Sequence, residues 1–205
     1  MPMSRRMFLL TAAAAPLAAC GGVYQTTFPA QLPIDMTRAW HVTDVQVSVP
    51  QSLTVSEEHA LIPHADIVWR EDDPNGDRHQ QVAAIMHTAI VAGASGLRGP
   101  FPVQLQVTVT RFHALSFEAE TRLANAGVHN IQFDIQAVDR RTGKILAGPT
   151  HIQADLPAWS GSQMASARLQ GITQKSMIVE HVTATIAAWL GVGPDNRGSF
   201  NRLGD

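Results

Sequence analysis

The chain has 205 residues, of which 45% are hydrophobic and 16% charged, and its formal net charge is −2. These values are typical of a folded globular protein with one domain, and they exclude an intrinsically disordered chain and a multi-span membrane protein. The slightly acidic balance offers no basic stripe, so we expect no nucleic-acid partner. Cys20 is the single cysteine, which excludes an internal disulfide.

The start of the chain has the three parts of an export signal. Arg5 and Arg6 supply positive charge, residues 7–19 form an apolar run, and small residues precede Cys20. The apolar run is interrupted by a proline and is shorter than the roughly 20 residues that a membrane-spanning helix needs. We therefore predict that residues 1–19 are a signal peptide that is removed from the mature protein.

Two short motifs in this signal resemble known export and lipidation motifs. Arg5-Arg6 followed by apolar residues resembles a twin-arginine export signal. Residues 17–20, from Leu17 to Cys20, resemble a bacterial lipobox. The lipobox resemblance implies a diacylglyceryl group on the Cys20 thiol and a lipid-anchored protein on the periplasmic side of the cell envelope. Gly21 resembles the pattern that is sorted to the outer rather than the inner membrane.

The remainder of the chain divides into three parts. Residues 20–39 contain glycines and prolines without a regular period, which predicts a lipidated N-terminus followed by a flexible tether. A single domain is predicted at residues 40–193. Residues 194–205 are predicted to be a frayed tail.

Hydrophobic periodicity predicts the elements of the domain. The predicted strands cover residues 43–49, 65–69, 103–110, 131–137 and 145–156, and the predicted helices cover residues 77–95 and 162–190. We expect Asp73 or Asn75 to cap the first helix, Gly143 to form a hairpin turn, and Gly171 to split or bend the second helix. The order β-β-α-β-β-β-α predicts an α+β two-layer sandwich with a mainly antiparallel sheet and two helices on one face. The other face, rich in Gln, Thr and Asp, is expected to meet water or a partner.

No motif predicts catalytic, cofactor-binding or metal-binding residues. The nine histidines lack the spacing of a metal site, although His113, His129 and His151 come from strands that can be neighbours. Residues 73–77 alternate oxygen ligands as a calcium loop does, but the required glycine and glutamate are missing. The serines near glycine, at 95 and 160, are interpreted as helix ends. Of the four tryptophans, only Trp159 is predicted to be exposed; the others are interpreted as core residues.

In layout, the signal, the tether and the domain resemble small bacterial envelope lipoproteins, among them the lipopolysaccharide-assembly lipoprotein and auxiliary lipoproteins of envelope ABC transporters. Most of those proteins lack paired arginines, so the export route stays open. The resemblance implies a non-catalytic accessory or assembly partner of an envelope complex, which binds a protein through an exposed sheet edge or the polar sheet face. The alternatives are an exported metal-binding protein or hydrolase and a glycolipid carrier with a cavity between sheet and helices.

Overall fold

The computed structural model describes residues 22–70, 73–124 and 127–202. The strands are β1 Gly22–Thr27, β2 Trp40–Ser48, β3 Ile67–Val68, β4 Phe101–His113, β5 Val128–Asp139, β6 Ile145–Ala154, β7 Leu156–Pro157 and β8 Gly198–Arg202. The helices are α1 Ile34–Thr37, α2 Arg78–Ala94, α3 Phe117–Arg122, α4 Gly161–Arg168 and α5 Gln174–Trp189. Among these helices, none is both long and apolar enough to cross a membrane.

The strands form one mixed sheet in the order β2-β4-β5-β6-β1-β8, with β3 paired to β4 and β7 to β5. The two strands that come directly before α2 in the chain, β2 and β3, run parallel to β4, because α2 carries the chain back across the sheet. All other neighbours are antiparallel. The predicted α+β fold with a mainly antiparallel sheet is therefore confirmed.

Helices α2 and α5 cover one face of the sheet, as predicted, and the core lies between them and the strands. Alternate residues of the central strands supply one side of this core, namely Val103, Leu105, Val107, Val109, Ile131, Phe133 and Ile135. The helical side is supplied by residues at helical spacing, among them Val82, Ile85, Met86, Val182 and Ile186. The two helices meet closely at Gly93, where an added Cβ would lie 2.7 Å from the Ile186 Cβ.

The helix ends agree in part with the predictions. Gly171, with φ +78°, separates α4 from α5 and so divides the predicted second helix. The predicted caps of α2 are wrong, because Asp77 is the N-cap and accepts a hydrogen bond from the Gln80 N–H at 3.2 Å. Asp73 instead accepts bonds from the Trp69 indole N–H at 2.7 Å and the Lys175 ammonium at 2.6 Å.

Both ends of the described chain differ from the predictions. Residues 22–27 of the predicted tether form β1, which lies between β6 and β8 inside the sheet. The predicted frayed tail contains β8, whose Phe200 ring stacks on Tyr24 with the ring centroids 5.9 Å apart. Tyr24, Thr26 and Phe28 alternate along the chain and are all buried, so this segment carries a strand pattern that its glycines and prolines obscured.

Candidate docking site

The free edge of β2 borders an open groove, which we call the β2 groove. It is lined on one side by residues 41–45 of the strand and on the other by His87 and Val91 of α2, and its volume is about 630 Å³. β2 is the terminal strand of the sheet, and no described strand pairs with its outer edge. Backbone N–H and C=O groups along such an edge are available to a further strand.

The local sequence explains the shape of the β2 groove. His87, Val91 and Ser95 recur every four residues, so they form one stripe along and just beyond α2, facing the groove. Val91 is 45% exposed, a large fraction for an apolar side chain in a helix that packs on the core. The register of β2 against β4 shifts between Val42 and Asp44, which is a bulge. Bulges bend an edge strand and limit uncontrolled pairing.

Hydrogen bonds fix the end of the groove at which β2 begins. The His41 Nδ1–H donates to the Gly99 carbonyl at 2.8 Å, and the Gly99 N–H donates to the Trp40 carbonyl at 2.7 Å. These bonds tie the start of β2 to the loop between α2 and β4. The groove can therefore receive an extended peptide segment on a preformed surface, with apolar contacts from Val42 and Val91.

The sheet face opposite the helices carries a chain of side-chain amides that ends on a carboxylate. Gln136 donates to Gln106 at 2.7 Å, Gln106 donates to Gln104 at 2.9 Å, and Gln104 donates to Asp44. Each amide thereby has a fixed orientation, which lowers the entropy lost when it binds a ligand. The alternation of polar and apolar residues predicted that this sheet face is polar. It could not predict that the three amides donate in one direction, from Gln136 toward Asp44.

Asp155 is a buried carboxylate at the junction of β6 and β7. Only 1% of it is exposed, and it accepts bonds from the backbone N–H groups of Gln25 and Ile131 at 3.1 and 3.3 Å. The side chains of Gln153 and Asn130 donate to it at 2.6 and 2.9 Å. Burial raises the pKa of Asp155, while these four hydrogen bonds favour the charged form. The Asp155 carboxylate therefore links β1 to the central strand β5 through hydrogen bonds.

A second polar contact joins β1 to α5. The Thr26 hydroxyl donates to the Asp155 carbonyl at 3.0 Å and lies 2.8 Å from His181 Nε2. Because the hydroxyl has one proton, Nε2 carries the proton of the second bond and donates to Thr26. Burial lowers the pKa of His181, so the imidazole is held in its neutral form.

The three strand histidines do not form a cluster. His113 Nδ1 accepts from Arg111 at 2.8 Å, His129 Nε2 donates to Gln174 at 2.7 Å, and His151 Nδ1 donates to Asp134 at 2.8 Å. Within residues 22–70, 73–124 and 127–202, no three His, Cys, Asp or Glu side chains are grouped as metal ligands. The metal-binding alternative finds no geometric support in that part of the chain.

The remaining predicted residues have the following places. Arg5, Arg6, Leu17 and Cys20, which carry the predicted export signal and lipid attachment, lie outside the described residues. Trp40, Trp69 and Trp189 are buried, as predicted, whereas Trp159, which was predicted to be exposed, is half-buried. The space between the sheet and the helices is filled by large side chains such as Trp69, Trp189, Phe112 and Phe133, where a glycolipid carrier would need a cavity.

Comparisons with known proteins place the chain in a family. No curated protein matches its sequence. Similar solved structures include a PelC dodecamer from Paraburkholderia phytofirmans, with 12% identity, a TM-score of 0.34 and coverage of 82% of this chain and 96% of that chain. Another is titled a "putative lipoprotein" from Caulobacter crescentus CB15, with 13% identity, a TM-score of 0.33 and coverage of 79% and 98%. Residues 40–205 match the family of unknown function DUF6778, and the chain belongs to that family.

Proposed function

We propose that this protein is a lipid-anchored accessory or assembly protein of the bacterial envelope, which binds an extended segment of a protein partner in the β2 groove. The proposal is supported by the outer edge of β2, which no strand of the described residues occupies and which borders an open groove of about 630 Å³. Addition of a strand at such an edge uses main-chain hydrogen bonds for affinity and side-chain contacts for specificity. The role requires no catalytic residue.

The anchor in this proposal is lipid on Cys20, and Gly21 favours the periplasmic side of the outer membrane. The motif at residues 17–20 supports the lipid attachment. We expect Cys20→Ser to release the protein from the membrane fraction of fractionated cells, because one thiol carries the diacylglyceryl group. A processed wild-type protein whose Cys20 carries no acyl mass would rule out lipid anchoring through this residue.

The docking surface is tested by a pull-down from detergent-solubilised membranes. Val91→Glu places a charge on the wall of the β2 groove without disturbing the core, since Val91 is 45% exposed. We expect this variant to lose the captured partner. Ala92→Glu is the matched control, because Ala92 is the next exposed residue of α2 and does not line the groove. Equal partner recovery with both variants would contradict binding in the groove.

A further inference from the structure

One end of the sheet, which we call the anchor end, carries the start of β1 and the carboxyl ends of β4 and β6. Thr26 pairs with Ala154, so the earlier residues of β1 extend past the end of β6. His113 at the end of β4 pairs with Asn130 near the start of β5. The hairpin between β5 and β6, at residues 139–145, lies at the opposite end of the sheet.

Five large apolar side chains are exposed at the anchor end. Their exposed fractions are 68% for Val23, 42% for Leu61, 48% for Ile62, 56% for Phe117 and 90% for Leu169. Scattered exposed apolar residues are common on protein surfaces, but several at one end of a domain mark a surface that contacts a partner or a membrane.

Hydrogen bonds and ion pairs bring together the segments that carry four of these side chains, those of Leu61, Ile62, Phe117 and Leu169. The Ser116 hydroxyl donates to the Ala60 carbonyl at 2.7 Å, which places Leu61 and Ile62 beside the start of α3. Arg168 pairs with Glu120 at 3.0 Å, which places Leu169 beside the same helix. Phe117 is the first residue of α3 and so lies between the two contacts.

Three carboxylates at this end have partners that moderate their negative charge. Glu118 pairs with His59 at 2.7 Å, Glu120 pairs with Arg168, and Asp73 pairs with Lys175 at 2.6 Å. Each of these three carboxylates therefore has a cationic or hydrogen-bonding neighbour. Such pairing reduces the repulsion between these acids and anionic lipid headgroups.

The position of Cys20 in the sequence favours a lipid bilayer as the partner of this surface. Cys20 precedes the first residue of β1 by two positions. Two residues span at most about 7 Å, so lipid on Cys20 would hold the anchor end close to the bilayer. We propose that the anchor end rests on the membrane, with Val23, Leu61, Ile62, Phe117 and Leu169 in contact with the lipid surface. The inference rests on the lipid attachment in the proposed function.

Single introduced cysteines test this contact in the full lipidated protein. Because lipid occupies Cys20, the only cysteine of the chain, an introduced thiol is the one site for a polarity-sensitive fluorophore. The test variants are Ile62→Cys and Leu169→Cys. The matched control is Ile145→Cys, because Ile145 is 50% exposed and lies at the opposite end of the sheet. The proteins are reconstituted in phosphatidylethanolamine and phosphatidylglycerol vesicles that carry nitroxide-labelled acyl chains.

We expect the labels at Ile62 and Leu169 to be quenched about twofold more strongly than the label at Ile145, because apolar groups on a membrane surface insert into the headgroup and acyl boundary. Intact mass of each protein first verifies acylation of Cys20. A protein without acyl mass would overturn the lipid attachment and this inference together. An acylated protein with equal quenching at all three sites would overturn only the membrane contact and would assign the apolar end to a protein partner.

Discussion

Asp155 is the residue on which the attachment of β1 depends most directly. It is buried and accepts four hydrogen bonds, two of them from backbone N–H groups that no change of side chain can remove. A buried donor without an acceptor costs about 1–3 kcal/mol. We expect Asp155→Ala to lower the free energy of unfolding by about 3 kcal/mol, measured by urea denaturation.

Asp134→Ala is the control for this prediction. Asp134 lies on the same sheet face, has a 46% exposed side chain and bonds His151, so its loss should change stability by about 0.5 kcal/mol or less. If both variants lost the same stability, the burial of Asp155 would not be what stabilises the sheet.

His181 makes stability depend on pH in a defined direction. Because burial lowers its pKa, the unfolded chain binds a proton at a higher pH than the folded chain does. The stability that this residue contributes is complete above the ordinary histidine pKa and is lost as pH falls through that value toward the lowered one. Asp155, whose pKa burial raises, has the opposite effect: its contribution to stability decreases as pH rises from the ordinary aspartate pKa through the raised one.

We expect His181→Gln to flatten this dependence, since a Gln amide can still donate to Thr26 but does not titrate. Between about pH 7.5 and 5.5 the free energy of unfolding should fall less in the variant than in the wild type. Urea denaturation at several pH values measures both curves, and Asp155 contributes equally to the two. Parallel curves would mean that His181 keeps its ordinary pKa in the folded protein.

At the scale of the elements, period-2 alternation predicted the central strands because each has one face on the core and one polar face. Alternation identifies a strand but does not identify the strand that pairs with it. The parallel pairing of β2 with β4, and the position of β2 at the edge of the described sheet, could therefore be seen only in the structure. The sequence could predict an exposed sheet edge but not the groove beside it. Its second wall comes from Val91, which is distant in sequence and belongs to an ordinary amphipathic helix.

Strand β6 contains a bulge that requires glycine. The pairing of β6 with β5 shifts register around Gly148, which has φ +90°, and an added Cβ would lie 2.6 Å from the Ile135 carbonyl oxygen. We expect Gly148→Ala to destabilise the protein by about 3 kcal/mol, from the backbone strain and the steric clash together. Thermal or urea unfolding measures this loss.

Gly143→Ala separates the two causes. Gly143 also has a positive φ, +73°, but no atom lies within 4 Å of an added Cβ. The backbone strain alone should cost about 1 kcal/mol at this position. Equal losses for the two variants would show that the contact with Ile135 is relieved by a small shift of the strands.

At the scale of the whole molecule, the two ends of the described chain meet in one sheet. β1 joins the central strands to β8, which pairs with no other described strand. A sequence window cannot reveal such a pairing, because the two strands are about the full length of the domain apart and each is short. We therefore propose that the lipidated Cys20 is followed almost directly by β1, a strand within the sheet, and not by a flexible tether. The domain would then stay close to the membrane.

A truncation that removes residues 195–205 tests whether this terminal segment is part of the fold. The deletion removes the β8 ladder, the stacking of Phe200 on Tyr24 and the Asn196 bond to Thr185 at 2.9 Å. We expect a loss of about 3 kcal/mol in the free energy of unfolding, because an aromatic pair, the ladder between β1 and β8 and a partly buried hydrogen bond disappear together. Phe200→Ala should show about 1 kcal/mol of that loss. A frayed tail would instead leave the urea midpoint of the truncated protein unchanged, and the sheet would then end at β1.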